Sequence, residues 1–129
     1  VPANRERAWV EAATRVRDNA VCKRSGFAVG AALEAEDGTL FTGCNVENST
    51  YGLTVCAERV AVWKALSEGV RRFTGIAVVT GAEDPTPPCG ACRQILWEFT
   101  GDIPVVMATT AGREKRMRLS ELFPEPFEF

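Results

Sequence analysis

Five cysteines and not one histidine constrain this 129-residue chain more than any other feature. Chemistry that needs imidazole is excluded: no Ser-His triad, no Cys-His nucleophile, no histidine metal ligand. A metal held here rests on Cys, Asp or Glu. The cysteines are Cys22, Cys44, Cys56, Cys89 and Cys92. An odd number, together with polar and charged opening residues 1–7 instead of an apolar export signal, favours reduced thiols and predicts a cytoplasmic protein. No apolar run approaches the length of a membrane span. The net charge of −2 offers no general field for a phosphate backbone, which argues against nucleic acid as the main partner.

The length fits a single domain over 1–129, and the 46% apolar and 25% charged content is an ordinary globular balance. Residues 3–19 place Trp9, Ala12, Ala13, Val16 and Ala20 at or just beyond a helical repeat. Residues 27–35 form an apolar run that predicts a buried strand, Asp37-Gly38 is a hairpin signal, and 39–47 predicts the returning strand. Helices are expected over 56–67 and 89–99, and strands over 73–80 and 103–108. A basic stretch, 113–118, and an apolar, Pro-rich tail, 119–129, follow. A hairpin followed by helix–strand–helix–strand predicts a layered α/β domain with helices packed on a mixed sheet.

Pro88-Cys89-Gly90-Ala91-Cys92 opens one of these helices and Cys56 opens another. Residues three apart on a helix share a face, so Cys89 and Cys92 can point at one metal. Helix N-termini favour thiolates. Three thiolates meeting at two such ends would make a zinc site, with the fourth position left for water if the site is catalytic. Spacing alone leaves two other readings: a structural four-cysteine site completed by Cys22 or Cys44, and a thiol redox pair. Glu58, in the first turn after Cys56, tilts the balance. A carboxylate there can reach a metal-activated water without being a ligand, as hydrolytic deamination requires; its other reading is a favourable charge at a helix start. Arg59 and Arg93, each next to a cysteine or close to one, can offset the excess negative charge of three thiolates, or serve as surface charges. The remaining cysteines, Cys22 and Cys44, are expected to be buried apolar thiols.

Four motifs in order, Ser25-Gly-Phe-Ala-Val-Gly-Ala-Ala32, Gly43-Cys-Asn-Val-Glu-Asn48, Tyr51-Gly-Leu-Thr-Val-Cys-Ala-Glu-Arg59 and Pro88-Cys-Gly-Ala-Cys-Arg-Gln94, resemble the cytidine deaminase family. The resemblance spans roughly residues 27–127 and fits the all-cysteine branch of that superfamily. It implies a three-layer α/β/α domain with a mixed sheet of about five strands. It implies one zinc ion per chain on Cys56, Cys89 and Cys92, and Glu58 as proton shuttle. The implied reaction is hydrolysis of cytidine or 2′-deoxycytidine to the uridine product and ammonia, a step of pyrimidine salvage.

The resemblance also assigns the substrate grip. Asn45 and Glu47 alternate on a strand, roughly 6.6–6.8 Å apart along it, and by similarity bind ribose. Phe27 would stack on the pyrimidine and the backbone at Ala57 would contact the base. Tyr51 and Phe127 resemble aromatic residues presented across a subunit interface, which implies a homotetramer with shared active sites. Where the family carries Pro-Tyr, this chain has Lys23-Arg24, so a substrate scope extending to modified pyrimidines is expected. Deamination of another aminated nucleoside, such as blasticidin S, is the alternative; a non-catalytic zinc module would have no need of Glu58.

Overall fold

The computed structural model describes residues 1–128. Its order is α1 (Ala3–Arg17), β1 (Val29–Ala35), β2 (Leu40–Cys44), a 3-10 turn (Tyr51–Leu53), α2 (Ala57–Ser67), β3 (Phe73–Thr80), α3 (Gly90–Thr100), β4 (Pro104–Thr109), β5 (Glu114–Arg118) and α4 (Leu119–Leu122). The five strands form one sheet in the order β2-β1-β3-β4-β5. Only the β3–β4 pair is parallel, joined through α3; the other pairs are antiparallel.

Strand alternation divides the core into two layers. Ala31, Leu33, Ile76, Val105 and Met107 pack on the side of α2 and α3. Ala32, Ala77, Val79, Val106 and Ala108 pack on the other side against Trp9, Ala12 and Ala13 of α1. The predicted three-layer arrangement with a mixed five-stranded sheet is what the chain adopts. Among the described residues, no helix is long and apolar enough to cross a membrane.

Glycines set the close approaches. A Cβ on Gly30 would fall 1.9 Å from the Ala13 carbonyl oxygen, and one on Gly75 would enter the Trp9 ring, so α1 lies almost directly on the sheet. Charge pairs fasten the same helix: Arg5 grips Glu34 on β1, and Arg116 of β5 pairs with Glu6 at 2.5 Å.

The structure corrects several boundaries. The strand expected over 27–35 starts at Val29, and the one expected over 39–47 ends at Cys44. Beyond Cys44 only a single bridged residue, Val46, continues toward Val21 and Val55. The basic stretch 113–118 is an edge strand. Its residues are charged and exposed except for the partly shielded Met117, a composition that discourages further pairing at an open sheet edge. Cys22 and Cys44 are half-buried free thiols and not core residues.

Candidate functional site

Two helix starts converge at the carboxyl end of β3. Cys56 is the N-cap of α2 and Cys89 the N-cap of α3, while Cys92 lies one turn into α3. The three sulfurs all lie within 4.8 Å of one another, and Cys56 and Cys89 are 3.9 Å apart. Tetrahedral zinc with Zn–S bonds of about 2.3 Å places its sulfurs roughly 3.8 Å apart, so the trio fits that ion. Cys22 and Cys44 are not part of this cluster, which removes the four-cysteine reading.

The thiols themselves favour a cation. Hydrogen bonding from Cys92, aided by the Arg59 guanidinium, holds the Cys56 thiol well below its usual range. That same bond, then burial and the nearby Glu58 charge, push Cys92 the opposite way. The three sulfurs are crowded together at two helix starts. A thiophilic dication satisfies all three. Arg59 donates from Nη2 to Cys56 Sγ at 3.3 Å, the position expected of a charge-balancing neighbour. Arg93 does not share that role: it donates to the carbonyls of Pro88 and Leu122, tying the tail to the start of α3.

Glu58 is 4% exposed and lines the cavity beside the cysteines. Burial pushes its carboxyl up to about 7, and the charge of Cys56 acts in the same direction. A carboxyl balanced near neutrality can both take and return a proton at physiological pH.

The cavity has a volume of about 270 Å³. Phe27, Val29, Val55, Val78 and Pro87 give it apolar walls, and Ala57 and Glu58 line it near the cysteines. The walls continue the core: Val78 and Thr80 extend the sheet face that Ile76 uses for packing. Of the expected substrate residues, Phe27, Asn45, Glu47 and Ala57 all line the cavity. Asn45 bridges the Phe27 segment, donating from Nδ2 to the Phe27 carbonyl at 2.8 Å and accepting from Val29 N–H at 2.9 Å. Tyr51 and Phe127 lie outside this cavity, at 74% and 65% exposure. Sequence reasoning gave no role to Ser25, Thr54, Thr80 or Thr86, which supply further polar lining. The hydroxyls of Thr80 and Thr86 are 3.3 Å apart. The usable signals were the position of Thr80 at a strand's carboxyl end and of Thr86 just before the Cys89 segment.

An apolar cavity with three convergent thiols and a buried carboxyl of near-neutral pKa defines a metal-dependent hydrolytic site. Comparison with known proteins narrows the class. The chain belongs to the family described as cytidine and deoxycytidylate deaminase zinc-binding region, whose pattern matches residues 3–109. It is 48% identical over 114 residues to a cytidine deaminase of Sporosarcina psychrophila, covering 88% of this chain and 84% of that one. It is 44% identical to a cytidine deaminase of Halalkalibacterium halodurans, covering 92% and 90%. The crystal structure of cytidine deaminase from Burkholderia pseudomallei superposes with a TM-score of 0.91 at 44% identity, over 94% of this chain and 98% of that one. The Mycobacterium tuberculosis cytidine deaminase superposes with a TM-score of 0.82 at 38% identity, over 96% and 98%.

Proposed function

We propose that this chain is a zinc-dependent cytidine deaminase, acting on cytidine and 2′-deoxycytidine. The observation that carries the reading is the buried Glu58 carboxyl lining one cavity with Cys56 and Cys89, in a family that shares the zinc-binding pattern. Cys56, Cys89 and Cys92 hold one zinc ion per chain. Bound zinc supplies the Lewis acidity that activates water for attack on C4 of the base. Glu58 would accept one proton from the attacking water and deliver it to the ring nitrogen, then take the remaining proton from the new C4 hydroxyl and pass it to the departing amino group, leaving a C4 carbonyl and ammonia. A carboxyl with a pKa near 7 suits that two-way duty. Arg59 tempers the negative charge of the sulfurs.

The cavity walls position the nucleoside. Phe27 stacks on the pyrimidine, the backbone at Ala57 meets the base beside the metal, and Asn45 and Glu47 receive the sugar hydroxyls. Tyr51 and Phe127 reach a neighbouring subunit's cavity in a homotetramer, a role their exposure supports. We read residues 1–129 as one domain. The enzyme is placed in the cytoplasm, a reducing compartment that suits five unpaired cysteines.

The test is a paired measurement on purified protein: zinc per chain, and loss of cytidine absorbance in wild type and Glu58→Gln. About one zinc per chain, with turnover that vanishes in the variant while zinc remains, is the expected result. Zinc without turnover of either cytidine or 2′-deoxycytidine would overturn the substrate assignment.

A further inference from the structure

Glu47 does not stand alone at the outer end of the cavity. Both oxygens of its carboxylate are already engaged by one residue: Ser25 N–H donates to Oε1 at 3.0 Å, and the Ser25 hydroxyl donates to Oε2 at 2.5 Å. The same Ser25 oxygen accepts the Phe27 N–H at 3.0 Å. Gly26, with φ of +67°, turns the chain between them in a region that L side chains rarely enter. Resting on the reading of this cavity as a cytidine site, we infer that Ser25 is a positioning residue that sets selectivity for a hydroxylated sugar, by holding the Glu47 carboxylate in one orientation and tying it to the Phe27 backbone.

The geometry favours this over a plain surface turn. Glu47 lies beyond the end of β2; its backbone N–H donates to the Val21 carbonyl at 2.8 Å, which leaves its side chain free to rotate. A glutamate there has three rotatable bonds, and Ser25 fixes its head group before substrate arrives. Each carboxylate oxygen keeps a further lone pair for a sugar hydroxyl. The hydroxyl and then the amide of Ser25 also hold the Glu47 carboxyl below its usual range, so at neutral pH it only accepts hydrogen bonds. The segment stays attached without Ser25, because Asn45 grips the Phe27 carbonyl and the Val29 N–H. Loss of the serine hydroxyl therefore acts on the sugar end of the site and leaves the base end in place.

Steady-state kinetics of wild type, Ser25→Ala and Ser25→Thr with cytidine and 2′,3′-dideoxycytidine test this. Ser25→Ala should raise KM for cytidine about tenfold with kcat within about twofold, and change the dideoxy substrate by less than about twofold. Ser25→Thr, which keeps the hydroxyl, should restore the cytidine KM. In a Glu47→Gln background, the alanine change should add little. An equal loss on both substrates, no loss, or failure of threonine to rescue would overturn the inference. Wild-type protein that does not turn over cytidine would instead sink the functional reading. Calorimetric binding of uridine against 2′,3′-dideoxyuridine would then test the latch by itself, with unchanged discrimination in Ser25→Ala as the contrary result.

Discussion

Gly43 of β2 lies so close to the first turn of α2 that a Cβ on it would sit 2.4 Å from the Ala57 carbonyl oxygen and 2.7 Å from the Ala61 nitrogen. The contact is backbone against backbone, so neither atom can swing aside. It fixes the height of α2 over the sheet, and with it the position of Cys56 and Glu58 relative to Cys89 and Cys92 on a different helix. Gly43→Ala should cost about 1–3 kcal/mol of stability through overpacking. It should also lower kcat about ten- to hundredfold, because the helix that carries Glu58 must lift. Gly75→Ala, which collides with Trp9 on the opposite face, is the comparison: it should lower the melting temperature while kcat of the folded protein holds. Equal kcat losses in both variants would mean that the Gly43 contact supports folding only.

Glu58→Gln keeps the shape of the side chain and removes its ability to carry a proton. We expect kcat to fall about 10²- to 10⁴-fold, with zinc content and KM little changed. The variant should be no less stable than wild type, since burial already disfavours the charged carboxylate. Metal analysis alongside single-turnover kinetics checks this. Loss of zinc with loss of activity would make Glu58 part of the metal-holding structure.

The sequence disclosed the chemistry better than the edges of the fold, and the reasons are physical. Cys56, Cys89 and Cys92 announce themselves because few other roles need thiols at two helix starts, and the helices begin where those caps imply. The apolar run Ile76-Ala77-Val78-Val79 within 73–80 located β3 residue for residue. β5 escaped because Glu114, Lys115, Arg116 and Arg118 leave no apolar period to read; its register comes from pairing with β4. Ser25 escaped because its value depends on Glu47, 22 residues away in sequence. Tyr51 and Phe127 are exposed and lie outside the cavity, so neither periodicity nor the fold of one chain assigns them a part in the site.

Arg5 and Glu34 should give the protein an acid-sensitive clamp. The Glu34 side chain is only 6% exposed, and burial alone would raise its pKa. The hydrogen bonds of Arg5 and Thr74 outweigh burial and hold it at about 2. Because the folded value lies below the unfolded one, the clamp is fully present above about pH 4.5. It is lost as pH falls from there toward about 2. Its size is on the order of 2 kcal/mol, allowing for solvent screening at the half-exposed Arg5. Glu34→Gln should flatten the stability curve over that window in denaturant titrations at stepped pH. An unchanged slope would assign acid sensitivity to other carboxylates.

Phe127 offers a test of the proposed shared active site. In Phe127→Ala the catalytic centre of each chain is intact, but the aromatic that the proposed tetramer lends to a neighbour is missing. In Glu58→Gln the aromatic is intact and the proton shuttle is missing. Each variant alone should be impaired, the second far more severely. Subunits mixed by unfolding and refolding together should form tetramers in which a Glu58→Gln chain closes the cavity of a Phe127→Ala chain. Activity per intact Glu58 should then rise above that of Phe127→Ala alone, approaching wild type as the Glu58→Gln chain is added in excess. No gain on mixing, with hybrid tetramers confirmed by native mass spectrometry, would place the action of Phe127 within its own subunit.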